Sequence, residues 1–241
     1  MKLTNQDEAR FADTGLRYLE RLVPASRTSA AREGILNELA RLGIRVGGKW
    51  HGSRMPQRLE RIPDLSDVIP RDLLPCLNKL AGRQLRPAEP LPQLLLTPPQ
   101  KRVWSVPHLG WHVDVKSPSR AELPGIQVFV LLDDVAPQGG GTVAIAGSHK
   151  LHGLRRGTTV SAHQILRTDP VYAALFTPGE TERAAFMKPA VVRGVPVQVM
   201  EMCGKAGDVY LMDMRVLHAP AVNATRNARM MLTNRYLCQR P

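Results

Sequence analysis

Cysteine is scarce in this chain: Cys76, Cys203 and Cys238 are all there are in 241 residues, and no two form a Cys-x-x-Cys pair. So few thiols, so far apart, argue against a disulfide framework or a thiolate zinc site. They fit small apolar fillers in a reducing compartment. No run of about 18 apolar residues occurs, which argues against a membrane-spanning helix. The opening Met1-Lys2-Leu3-Thr4-Asn5-Gln6-Asp7-Glu8 lacks the apolar core of a secretory signal. A cytoplasmic location is therefore the expectation. Also missing are an unbroken Lys/Arg tract and the interleaved aromatics of a nucleic-acid platform. Acidic residues are the other shortage, 21 against 33 lysines and arginines, for a net charge of +12. That excess ranks as a solvated basic surface first, a feature for an anionic small substrate second, and a nucleic-acid footprint last. The arginines are spread along the chain, with a modest concentration at Arg54, Arg58 and Arg61.

An apolar fraction of 43% in a chain of this length is enough for one sizeable core, so a single domain spanning 1–241 is expected. The stretch that carries chemistry is Trp111-His112-Val113-Asp114. On a strand or its exit, residues two apart point to the same side, so an imidazole and a carboxylate would face one point. Leu217-His218-Ala219-Pro220 supplies a third donor, after the turn and apolar run Gly207-Asp208-Val209-Tyr210-Leu211-Met212. Two histidines and one carboxylate form the facial triad of non-haem Fe(II) sites, which leaves open positions on the metal. Eleven residues past His218 comes Arg229, opening the strand-like run to Tyr236. A guanidinium there could grip a carboxylate with two parallel bonds. His-x-Asp alone recurs by chance. The later His and Arg at this spacing, with Gly139 to His149 between them, make an accidental pair of polar residues a poor account.

In order and spacing, Pro92 to Leu237 resembles the phytanoyl-CoA dioxygenase family of Fe(II)/2-oxoglutarate oxygenases. The resemblance implies a mainly β protein with flanking helices (α+β): a double-stranded β-helix (jelly-roll, cupin-like) core with N-terminal helices packed on one side. Residues 1–85 would be the helical support region and 86–241 the catalytic core, with a lid-like insertion at 150–193. It implies iron held by His112, Asp114 and His218, and 2-oxoglutarate seated with its distal carboxylate on Arg229. Thr97 and Gln127 match further co-substrate contacts. The product side would be succinate, CO2 and an oxidised substrate, with O2 consumed. In related halogenases the Asp114 position is Ala or Gly, so a carboxylate here implies an oxygenase outcome. His149 belongs to the family's Gly-Ser-His turn and is not a metal ligand there. Relatives often place Ser two residues after the distal histidine; this chain has Pro220, a departure that shifts weight onto Thr97 and Gln127.

Along the chain, Thr4 and Asp7 mark a helix start, with Leu16, Leu19 and Val23 on its face and Pro24 as its end. Ser29 is expected to cap a second helix carrying Ile35, Leu36, Leu39 and Leu42, stopped by Gly43. Val46 to Arg61 reads as a basic loop, Asp67 to Leu80 as a third helix, and Arg86 to Leu91 as irregular. Strands are expected at Gln93–Thr97, Gly125–Leu132, Thr142–Ala146, Val195–Met202, the approach to His218, and from Arg229 onward. Lys101 to Gly110 and Lys116 to Pro124 read as loops, and Trp104 and Trp111 could wall a pocket or fill core. Leu151 to Val192 carries no strand signal; its His152, Arg155, Arg156, His163, Arg167 and Lys188, with Arg193 at its edge, could meet an anionic substrate or form a solvated lid. Alternation places Arg235 on the face of Arg229, where an internal ion pair with Asp213 or Asp208 is expected.

The leading function is thus a 2-oxoglutarate-dependent hydroxylase of a small, polar or anionic metabolite, acting without membrane or nucleic acid. One alternative is a cupin-like Fe(II) enzyme whose substrate itself chelates the metal, which leaves Arg229 without a purpose. Another is a non-catalytic or nucleic-acid-binding barrel, which leaves the triad without one.

Overall fold

The computed structural model describes residues 3–43, 65, 67–100, 103–115, 122–153, 160–178 and 183–239. The expected basic loop with Arg54, Arg58 and Arg61, most of the loop after Asp114, and Arg155 and Arg156 lie outside these residues. Among the described residues, two antiparallel sheets form the body. The larger runs in the order β1 (Leu16–Leu19), β8 (Val209–Asp213), β4 (Gly125–Leu131), β10 (Arg229–Cys238) and β2 (Leu85–Pro87), with β3 (Gln93–Thr97) also paired to β10. The smaller is β6 (Ala190–Val192), β7 (Val195–Glu201), β5 (Val143–Ala146) and β9 (His218–Ala219).

The strand sequences explain the layering. β4, β5 and β8 are buried along their whole length, so alternate residues feed two different cores. Phe129, Leu131, Met212 and Met231 from the larger sheet meet Ala144 and Ala146 from the smaller in the space between the sheets. The other face of the larger sheet, with Ile126, Val128, Val130, Leu211 and Leu232, packs on Phe11, Ile35, Leu39, Leu73 and Leu77 from the helices α1 (Asn5–Thr14), α2 (Ala25–Arg41) and α3 (Leu73–Ala81). The outer face of the smaller sheet, with Val143, Ile145, Val197 and Val199, packs on α4 (Ala162–Arg167) and the one-turn helices beside it.

The N-terminal third departs from expectation in one respect that matters to the site. α1 starts at the anticipated Thr4/Asp7 capping box but stops at Thr14, and Leu16 and Leu19 belong to a strand paired with β8, not to a helix running to Pro24. Gly15 is the reason: it ends the helix at φ 73, and a Cβ there would lie 2.5 Å from Val216 Cγ2 and 2.7 Å from His149 Nδ1. The chain must turn at the point where it touches the segment leading to His218. Pro24 begins α2 instead of ending α1; its fixed φ of −57 suits a helix entrance, and Ser29 lies inside. Two further stretches read as irregular contain strands. Leu85–Pro87 pairs with the end of β10, and Ala190–Val192 with β7.

Candidate metal centre

His112 and His218 face each other across an isolated antiparallel bridge in which each backbone N–H donates to the other's carbonyl, at 2.9 and 3.0 Å. Two residues further on, Asp114 N–H donates to Met214 O at 3.2 Å. The backbone thus places three side chains from two remote segments on one side. Their ligand atoms all lie within 4.8 Å of one another, and His218 Nε2 is 3.6 Å from Asp114 Oδ2.

The protonation of both rings follows from their partners. His112 Nδ1 is 2.7 Å from Gly110 O and His218 Nδ1 is 3.1 Å from Val216 O. A carbonyl only accepts, so each Nδ1 carries a proton, which leaves Nε2 as the nitrogen able to bind a metal ion. Burial holds His218 below the ordinary imidazole range, against the pull of Asp114 and with the push of His112, so the ring stays neutral as a ligand must be. Asp114 Oδ2 is buried and has no hydrogen-bond partner. An orphaned carboxylate oxygen beside two imidazole Nε2 atoms is poorly explained as packing and well explained as a site for a divalent cation. Nitrogen and oxygen donors in this 2-His-1-carboxylate set suit non-haem iron.

Arg229 also sits where the strand alternation aims it, buried between the sheets. Its Nε donates to Gly140 O at 2.8 Å, Nη1 to Leu95 O at 3.1 Å, and Nη2 to Thr97 Oγ1 at 2.6 Å and again to Gly140 O. Four of its five N–H groups are thereby engaged, and one on Nη1 remains. Burial lowers its pKa to about 10, with Asp133 and Glu201 acting in the opposite sense, so it stays a cation at neutral pH. Thr97 is Arg229's register partner, and its hydroxyl accepts the Nη2 bond and keeps its own proton to donate. Gln127 is buried on β4. Its Nε2 donates to Thr233 Oγ1 at 3.1 Å, and its Oε1 has no partner.

Residues around the triad take roles that the pattern anticipated in part. Ser148 Oγ accepts the Leu217 N–H at 2.9 Å, so the Gly-Ser-His turn clamps the segment bearing His218. His149, next to it, is buried with Nε2 3.1 Å from Ala12 O, consistent with a structural place. His152 is not a cation of the mouth: it is buried, its Nε2 2.8 Å from Arg215 O and its Nδ1 accepting from Ala162 N–H at 3.1 Å. Trp104 and Trp111 both pack in the cluster on the outer face of the smaller sheet. Trp111 points away from the triad because it alternates with His112, donates to Pro107 O, and packs on Phe176. The described part of the 150–193 insertion has a packed inner face: Ala162, Leu166, Tyr172 and Leu175 are all 1% exposed or less.

Arg235 is the clearest correction. Asp213 is taken by Arg215, at 2.6 Å, and Asp208 by the Tyr18 hydroxyl and the N–H groups of Arg21 and Lys205. Arg235 instead places Nη1 3.9 Å from Asp114 Oδ1. The alternation gave its face correctly. The His-x-Asp spacing gives Asp114 its face, but not the neighbouring strand that brings Arg235 to it.

Comparison with known proteins gives the family. The chain belongs to the phytanoyl-CoA dioxygenase (PhyH) family, whose model matches residues 105–231, from just before the first histidine to β10. It is accordingly a non-haem iron, 2-oxoglutarate-dependent oxygenase. Among solved structures it is similar to AviO1 from Streptomyces viridochromogenes Tue57, at 20% identity and a TM-score of 0.61 over 98% of this chain and 96% of that one. It is also similar to HygX from Streptomyces hygroscopicus, solved with nickel and 2-oxoglutarate bound, at 15% identity and a TM-score of 0.64 over 99% and 88%. A third is SnoK, a non-haem α-ketoglutarate-dependent carbocyclase from nogalamycin biosynthesis, at 17% identity and a TM-score of 0.61 over 98% and 85%. No curated protein sequence matches the chain. Among the described residues no helix is long and apolar enough to cross a membrane.

Proposed function

We propose that this protein oxidises a small-molecule metabolite, inserting one oxygen atom at a C–H bond and releasing succinate and CO2. The convergence of His112, Asp114 and His218, with both Nε2 atoms and an unpartnered carboxylate oxygen facing one point, carries this reading. These three would hold the iron. Bound there with 2-oxoglutarate, the metal supplies O2 activation and the oxidising power, and the protein contributes positioning and exclusion of water. The two facing sheets are taken as a double-stranded β-helix acting as one catalytic unit, braced by the helices of residues 1–85.

Arg229 is assigned to the distal carboxylate of 2-oxoglutarate. With most of its N–H groups bound to backbone, it would act through its buried charge and the remaining Nη1 hydrogen, joined by the Thr97 hydroxyl. Its bonds to Gly140 O and Leu95 O fix the guanidinium before the ligand arrives, which lowers the ordering cost of binding. Gln127 is assigned as a further contact in the same interior through the second N–H of its Nε2, since its unpartnered Oε1 can only accept and suits a donor on the substrate. The substrate is assigned as polar or anionic, in keeping with the basic charge of the chain. Asp114 fills the position that chloride would need, so halogenation is not the expected outcome.

The product class has a second candidate. SnoK is named a carbocyclase and SnoN, at 19% identity, an epimerase. The test runs in two stages. Anaerobic Fe(II) and 2-oxoglutarate should give a weak visible charge-transfer band, and O2 should then yield succinate; absence of both signals would reject the assignment. A mass-spectrometric metabolite screen then separates hydroxylation, a gain of one oxygen atom, from ring closure, a loss of two hydrogens, and from epimerisation, no change.

A further inference from the structure

We infer that Arg235 is a positioning residue for the metal-binding carboxylate, its guanidinium holding the outer oxygen of Asp114 so that the inner oxygen faces the two imidazoles. The inference rests on the assignment of the triad to a metal ion and adds a fourth residue to that site. The two oxygens of Asp114 have different surroundings: Oδ2 is buried, 3.6 Å from His218 Nε2, while Oδ1 lies 3.9 Å from Arg235 Nη1. Partial rotation about the Cβ–Cγ bond would turn the inner oxygen away from the imidazoles, and no hydrogen bond to either carboxylate oxygen opposes it among the described residues. A cation beside the outer oxygen holds the carboxylate in the plane that aims the inner one at the rings.

Arg235 is fixed in the required way. Met231 and Thr233 turn the same face of β10 inward, Met231 into the core between the sheets and Thr233 onto Val128 O at 2.9 Å. At Arg235 itself, the carbonyl accepts from Ala88 N–H at 2.7 Å and the N–H donates to Asn234 Oδ1 at 2.8 Å, while Gln127 lies opposite in register. The backbone is therefore held on both edges of β10, and the side chain leaves toward the triad. Asp114 is held independently by its bond to Met214 O. Both backbones are hydrogen-bonded, and the guanidinium end, on a side chain 39% exposed, has freedom to close the remaining gap. Partners that orient a metal ligand commonly change metal affinity by about 10–100-fold when removed.

The test uses the full-length protein and Co(II), whose visible bands report ligand geometry without turnover. Arg235→Met should bind Co(II) about 10–100-fold more weakly than wild type and with shifted bands. Arg235→Lys, which keeps the charge, should recover part of the affinity. A methionine variant with wild-type affinity and spectrum overturns the inference, including the case where only a substrate KM rises. If that variant does not fold by far-ultraviolet circular dichroism, Arg235→Gln and Arg235→Lys replace it: affinity falling in the order wild type, Lys, Gln supports the role, and equal affinity in all three overturns it. His218→Ala separates the two levels, since Co(II) binding by wild type that survives His218→Ala removes the metal site itself, and with it this role for Arg235.

Discussion

Asp114→Asn should make the metal-free protein more stable and the metal-loaded protein less so. In the metal-free fold Asp114 Oδ2 is buried without a hydrogen-bond donor, 3.6 Å from a ring nitrogen that carries a lone pair. An asparagine of the same shape can turn its Nδ2–H toward His218 Nε2, converting a lone-pair contact into a hydrogen bond and removing a buried charge. A buried polar group left unsatisfied costs about 1–3 kcal/mol. The carboxylate keeps some attraction to Arg235, so a gain of about 1–2 kcal/mol is the working figure. For a chain of this size each kcal/mol moves the melting temperature by about 2–4 °C, so the metal-free variant should melt about 2–8 °C higher. Metal reverses the order. A ligand at 100 times its Kd stabilises by about 2.7 kcal/mol, or about 5–11 °C here, and the variant should lose most of that shift. Thermal melts with and without Ni(II), which avoids turnover, measure both quantities, with His112→Ala correcting for ion bound elsewhere. An equal Ni(II) shift in wild type and Asp114→Asn, or a metal-free variant that melts lower than wild type, would refute the reasoning. A ligand retained at the expense of stability is what a functional site looks like energetically.

Other expectations follow from the same geometry. Arg229→Met should weaken 2-oxoglutarate binding by at least about 100-fold, since breaking a buried ion pair costs roughly 3–5 kcal/mol. Calorimetry on the Ni(II) protein checks it, and Arg229→Lys should fall between. The metal-free protein should lose stability as pH falls below about 6.5, the unfolded imidazole pKa. His149, His152 and His218 are all pushed down by burial, so the unfolded state binds protons first, and stability is full above that pH and lost on acidification through the folded values. Melts across that range in a chelating buffer read the slope, which a flat profile would contradict. Ser148→Ala leaves the Leu217 N–H without its acceptor and should destabilise by about 1–3 kcal/mol while weakening Co(II) binding through the His218 segment. Gly15→Ala should lower the melting temperature markedly, because the added methyl meets Val216 and His149 at a φ that only glycine takes without strain.

Local sequence was enough for whatever depends on period and spacing. Apolar runs made β4 and β5 readable and alternation made β10 so, and the His-x-Asp pair, the distal His218 and Arg229 could be named because a strand's two-residue repeat fixes which side chains share a face. Capping chemistry found the start of α1. It could not find its end, because Leu16, Leu19 and Val23 suit a helix face and a strand equally well. Gly15 in contact with Val216 and His149 settles the matter, and that contact spans more than a hundred residues of chain. The same distance explains the other errors. His152 reads as a free cation until Arg215 O and Ala162 N–H enclose it, and Arg235 reads as a partner for Asp213 until Arg215 is found already there. One strand dictates a direction; what waits in that direction is decided by which other strands come to lie beside it. The identity of the ligands was therefore written in the chain. The orphaned oxygen and the guanidinium behind Asp114 exist only once the tertiary structure brings their segments together.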